Sequence, residues 1–98
     1  MRPSIGNAMR VAFRVHGAVQ GVGYRRFVAR EAQALDLAGW VRNEPDGAVS
    51  GEAEGPEAAL EAFRATLTEG PSFASVSWLD WSPLDMRSSL PRPFEIRR

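Results

Sequence analysis

The chain contains no cysteine and no lysine, and it has only one histidine. Without cysteine, disulfides, thiolate metal centres and cysteine nucleophiles are excluded. Without lysine, so are Schiff-base catalysis and the phosphate-binding lysine of a Walker loop. The single His16 cannot by itself assemble a zinc site, where several nitrogen or sulfur ligands are usual. Long apolar runs are missing too: nothing approaches the ~18 consecutive apolar residues of a membrane span. The opening MRPSIGNAMR lacks the apolar stretch of roughly 7–15 residues that export requires, so a cytoplasmic protein is expected. Charge bias is also absent, because 12 arginines balance 12 acidic residues. That neutrality removes the electrostatic footprint of a general nucleic-acid binder or a membrane-surface protein. The expectation is a protein without metal, cofactor, nucleic-acid or membrane partner. Any catalysis falls to arginine, side-chain amides, backbone N–H groups and carboxylates.

What is present fits one small domain. The chain has 98 residues, 44% of them apolar, which is ordinary for a folded domain that buries a modest core. Size and neutrality are compatible with a monomer. The first seven residues show no periodicity, and the reading is a flexible tail over residues 1–8 followed by one domain over 9–98. From Met9, the residues Met9, Val11, Phe13 and Val15 alternate with Arg10, Arg14 and His16, the period of a strand with one buried face. Three glycines between Gly17 and Gly23 break it. Phe27, Val28, Glu31, Ala32 and Leu35 then follow a helical period from about Tyr24, with Arg26, Arg30 and Gln33 turned away.

A second strand is expected from Leu37 to Arg42, and a turn at Pro45-Asp46-Gly47. On the far side Val49, Gly51 and Ala53 alternate with polar residues, making a hairpin. Gly55-Pro56-Glu57 opens a second helix with buried Leu60, Phe63 and Leu67, and Gly70-Pro71 stops it. Ser75 to Trp81 is a fourth strand, residues 82–93 a proline-rich loop, and Phe94-Glu95-Ile96 a short strand or extension. The alternation in the fourth strand leaves open which of Trp78 and Trp81 faces the helices. The order strand–helix–strand–strand–helix–strand predicts an α+β, ferredoxin-like βαββαβ sandwich, an antiparallel sheet with two helices on one face.

Chemistry concentrates between Gly17 and Arg25. Glycines let successive N–H groups point into one concavity, and the following helix adds its unsatisfied N–H groups and positive dipole end. Arg25 lies in the first turn, where a guanidinium fork suits two phosphate oxygens. The dinucleotide pattern fails, since Arg26 stands where its third glycine belongs, and the Walker pattern fails at Tyr24-Arg25. Taken alone, the glycines also fit a plain strand-to-helix turn with a solvated Arg25. Asn43, at the end of the second strand, can hold a water by its carbonyl, or cap its own turn.

Together, Gly17-Ala18-Val19-Gln20-Gly21-Val22-Gly23-Tyr24-Arg25 and Gly39-Trp40-Val41-Arg42-Asn43 closely resemble the two signature motifs of the acylphosphatase family. Asp46-Gly47, Gly55-Pro56 and the closing Phe94-Glu95-Ile96-Arg97 resemble the same family at matching distances, over about residues 9–98. The resemblance implies a metal-free hydrolase of the carboxyl–phosphate bond of acyl phosphates, with a small-molecule substrate. It assigns Arg25 to the phosphate and Asn43 to the attacking water. Val19, Gln20, Gly21, Val22, Gly23 and Tyr24 supply backbone donors to the phosphoryl oxygens. One departure is Ala18, where many members carry a basic residue.

Other residues and readings have structural or rival explanations. His16 shares its parity with Arg10 and Arg14 and is expected on the exposed side of the first strand. Arg26 and Arg42 are expected at solvated positions. The fold also hosts RNA-recognition modules, but the third strand, Ala48 to Glu52, offers no aromatic ring for stacking. A module that holds an anion without hydrolysing it is a second alternative. The acylphosphatase-like domain of hydrogenase-maturing carbamoyltransferases is a third, and a chain ending at Arg98 favours the free-standing enzyme.

Overall fold

The alternation of Val11, Phe13 and Val15 puts three apolar side chains on one side of a long first strand, where all three are buried. The computed structural model describes residues 8–98. Its elements are β1 (Ala8–Ala18), α1 (Tyr24–Ala34), β2 (Ala38–Asn43), β3 (Val49–Pro56), α2 (Glu57–Glu69), β4 (Ser75–Leu84) and β5 (Glu95–Ile96). The sheet order is β4-β1-β3-β2-β5. The four long strands pair antiparallel, as expected. The terminal pair Glu95-Ile96 runs parallel to β2 instead, so the complete sheet is mixed. Both helices pack on the face that carries the apolar parity. Residues 1–7 of the expected tail lie outside the described residues, while Ala8 already belongs to β1.

The core forms where the helical and strand periods meet. Val28 and Ala32 of α1 and Leu60, Phe63 and Leu67 of α2 close over Val11, Phe13, Val15, Val41, Val49 and Ala53. Phe63 sits at the centre, edge-on to Phe13 at 5.6 Å and to Phe94 at 6.0 Å, a favoured arrangement for aromatic rings. The fold thereby fixes two things beside each other: the start of α1 and the end of β2.

Two local expectations change and one open question closes. Met9 shares the apolar parity yet is 41% exposed, whereas Arg10 is only 6% exposed. The cause is a long-range contact. The Arg10 guanidinium pairs with Glu54 across the sheet and donates to the Ser88 carbonyl of the segment that crosses this face. The fourth strand also outruns its expected end at Trp81, continuing through Pro83 to Leu84. It lies at the sheet edge, where a missing N–H is tolerated. Finally, Trp81 turns inward against Phe63, and Trp78 turns outward onto His16 with ring centres 4.4 Å apart. Among the described residues no helix is long and apolar enough to cross a membrane.

Candidate active site between the glycine loop and the end of the second strand

The loop after β1 enters α1 through glycines in left-handed conformations, with φ 75° at Gly21 and φ 82° at Gly23. Gly23 is the residue before the helix, and no side chain caps it. The first-turn N–H groups of α1 are therefore open to an outside acceptor. The same stretch lines a cleft of about 160 Å³, to which Val19, Gly21, Gly23, Tyr24, Arg25 and Arg26 contribute. Asn43 and Ile96 complete the lining. Among the described residues no carboxylate belongs to this lining, and no acidic residue lies in the first turn of α1. Guanidinium groups and the helix dipole thus give the cleft one sign of charge.

Arg25 reaches across to the chain's end, donating from Nη1 to the Arg97 carbonyl at 3.1 Å. Arg97 in turn donates its N–H to the Val41 carbonyl at 2.7 Å. Two residues past Val41, Asn43 ends β2 opposite Val49. Its amide carbonyl oxygen is buried and has no hydrogen-bond partner among the described residues. The turn that follows is closed by other groups. Asp46 Oδ1 accepts from the Ala48 N–H at 3.0 Å, and the Glu44 N–H donates to the Ala48 carbonyl at 2.8 Å. Asn43 therefore does not cap this turn, and its amide keeps unused bonding capacity beside Arg25.

The remaining expected site residues divide by position. Val19, Gly21, Gly23 and Tyr24 line the cleft. Gln20 does not; its side-chain NH₂ donates to the Glu44 and Ala48 carbonyls at 2.7 and 2.8 Å, tying the loop to the β2–β3 turn. Val22 stands at the loop crest, 40% exposed. Tyr24 is buried, with its hydroxyl donating to the Leu67 carbonyl at 2.9 Å, and burial pushes its phenol well above the ordinary value. His16 lies outside the lining, paired with Asp80 at 2.9 Å. Arg42 pairs with Glu44 at 2.9 Å. The Ser50 hydroxyl, followed by Arg42, holds the Glu44 carboxyl below its usual range. The Arg14 guanidinium does the same for Asp46.

Two lining residues escape a local reading of the sequence. Arg26, expected in solvent, is exposed but forms part of the cleft wall. Ile96 arrives only because β5 adds to β2, a pairing between residues far apart in the chain. The family-like Phe94-Glu95-Ile96-Arg97 terminus was the signal available, and it carried no role.

Fold and cleft together define a ferredoxin-like protein with an arginine-lined cleft where its first helix begins. The acylphosphatase family model matches residues 11–96. An acylphosphatase of Salinibacter ruber is 52% identical over 79 residues, covering 79% of this chain and 83% of the relative. Acylphosphatase 2 of Ralstonia nicotianae is 45% identical over 93 residues, covering 95% and 97%. The crystal structure of the Bacillus subtilis acylphosphatase superposes with a TM-score of 0.86 at 39% identity, over 92% of this chain and 99% of that one. The chain belongs to the acylphosphatase family.

Proposed function

We propose that this protein hydrolyses the carboxyl–phosphate bond of acyl phosphates, with Arg25 and the loop from Val19 to Tyr24 holding the phosphoryl group and Asn43 orienting the attacking water. The observation that carries the assignment is the shared cleft: Arg25 and the unpartnered amide of Asn43 line one cavity at the start of α1. Backbone N–H groups of the loop and first turn meet the phosphoryl oxygens, and Arg25 neutralises the charge that spreads over them in the transition state. The Asn43 amide carbonyl accepts a hydrogen from water and fixes that water in line with the scissile bond. Water oxygen bonds to phosphorus, the bridging P–O bond breaks, and the acyl carboxylate leaves with the electron pair. The water's proton passes to a phosphoryl oxygen of the substrate. The carboxylate leaving group is good enough to depart without a general acid.

A cleft of this size suits a small-molecule substrate, and the reading extends to a cytoplasmic monomer. Its balanced charge gives nucleic acid and anionic membranes no general attraction. The test is phosphate release from benzoyl phosphate in the presence of a chelator, with inorganic phosphate as competitor. Wild type should turn over and be inhibited competitively. Arg25→Ala should raise KM and lower kcat, and Asn43→Ala should lower kcat while phosphate still binds. Each loss in kcat/KM should be roughly 100-fold or more, the scale of losing one oxyanion donor. Near-normal rates in either variant would remove that residue from the mechanism. Saturable phosphate binding without turnover in the wild type would leave an anion-binding module instead.

A further inference from the structure

We infer that the mouth of this cleft is an apolar collar that selects acyl phosphates whose acyl group is apolar and ring-sized. Single exposed apolar side chains are ordinary on protein surfaces, but a group of them around one polar cavity marks a binding surface. Three of the large exposed apolar residues belong to segments that meet at this cleft, one of them in its lining and two beside lining residues. Ile96, on β5, lines the cleft and is still 46% exposed. Val22 stands between Gly21 and Gly23, which both line the cleft, and is 40% exposed. Phe73, in the connection between α2 and β4, is 54% exposed. Its ring edge lies 3.9 Å from the point where a side chain on Gly23 would begin.

The inference rests on the proposed acyl phosphatase activity and adds the acyl half of the substrate. Polar donors are concentrated on the cradle side: loop and first-turn N–H groups, with Arg25. A phosphoryl group seated among them leaves its acyl skeleton directed to the mouth, where Ile96, Val22 and Phe73 offer carbon surface. A pocket of this kind, apolar with a few convergent polar groups, discriminates through the area it buries. The competing determinant is Arg26, a second guanidinium on the lining, which would favour an acyl group carrying its own negative charge. The collar draws carbon surface from three segments, whereas Arg26 is a single exposed side chain whose charge the phosphoryl group already answers.

The experiment compares benzoyl, acetyl and succinyl phosphate as substrates, and benzoylphosphonate with acetylphosphonate as non-hydrolysable ligands read by thermal shift. Wild type should favour the benzoyl compounds by roughly tenfold, the scale of covering one face of a ring. Phe73→Ser and Ile96→Ser should each collapse the benzoyl-to-acetyl ratio several-fold in kcat/KM and in phosphonate binding, and in Phe73→Ser inorganic phosphate should inhibit as before. Phe73 lies outside the sheet, so its variant gives an answer even if Ile96→Ser disturbs β5. Hydrolysis with a ratio that neither variant changes, or a preference for succinyl phosphate, would overturn the collar and leave the activity standing. Phosphonate preference without any hydrolysis would overturn the activity and leave the collar standing.

Discussion

The Arg25 guanidinium is anchored to the far end of the chain, its Nη1 donating to the Arg97 carbonyl at 3.1 Å. Arg97 is itself held by β2 through its N–H bond to the Val41 carbonyl. A long, flexible side chain thereby points into the cleft before any ligand arrives, which lowers the ordering cost of binding. A chain shortened to end at Ile96 should keep the fold, because β5 and the core Phe94 remain. It should lose about tenfold in kcat/KM, the worth of one hydrogen bond to a charged group. The loss should appear chiefly in KM and in phosphate inhibition. Unchanged kinetics would show that Arg25 orients itself without this anchor.

Gln20 connects the two halves of the site. Its NH₂ bridges the Glu44 and Ala48 carbonyls, so the glycine loop and the turn after Asn43 move as one body. Gln20→Ala should lower kcat about tenfold through misplacement of Asn43 relative to the loop, with a modest drop in the urea midpoint. Gln20→Glu should be worse on both counts, since a carboxylate would face two carbonyl oxygens. Gln20→Asn, which keeps the donors, should recover part of the loss. Equal behaviour of the Ala and Glu variants would argue that the bridge is only structural filler.

Much of this architecture is legible locally. Val11, Phe13 and Val15 state the buried face of β1, and Leu60, Phe63 and Leu67 the stripe of α2, because burial imposes their periods. Gly21, Gly23 and Arg25 lie within five residues, so the cradle too is a local object. What could not be read depends on meetings between distant segments. The parallel docking of β5, the covering of Arg10 by Ser88 and the reach of Arg25 to Arg97 leave no trace in any short window. Asn43 is intermediate: its place at a strand end is local, but its position beside Arg25 is set by the sheet order. Family resemblance, rather than periodicity, distinguishes it from a turn former. Gln20 is intermediate as well: its place in the loop is local, but the bonds of its side chain to the Glu44 and Ala48 carbonyls depend on a turn more than twenty residues away.

Tyr24 is the only tyrosine in the chain, so its ionisation can be followed by itself. Burial raises its folded-state pKa far above the ordinary value of 10.0. A group with a raised folded pKa contributes stability in full below its unfolded value, and that contribution drains away as pH rises beyond it. Stability should therefore fall above about pH 10, and phenolate absorbance should appear together with unfolding, not before it. Tyr24→Phe should flatten this alkaline decline. It should also cost about 1–3 kcal/mol near neutrality, since the Leu67 carbonyl loses its donor. Phenolate formation in a folded protein, tracked by circular dichroism, would contradict the buried phenol.

The first turn of α1 is a site of conflict between stability and binding. A helix N-terminus favours acidic side chains, yet this one has none and carries Arg25 and Arg26. Each misplaced cation costs on the order of 0.3–1 kcal/mol, a cost relieved when an anion occupies the cleft. Inorganic phosphate should accordingly raise the unfolding midpoint, adding about 2.7 kcal/mol of stability at a hundredfold excess over its Kd, whereas chloride at equal ionic strength should do far less. Arg26→Glu should reverse the balance, making the ligand-free protein more stable and weakening phosphate binding about tenfold or more. The measurement is a thermal denaturation series with and without phosphate for both proteins. A ligand-free Arg26→Glu protein less stable than wild type would mean that Arg26 is held there by a favourable contact, not tolerated for the sake of an anion.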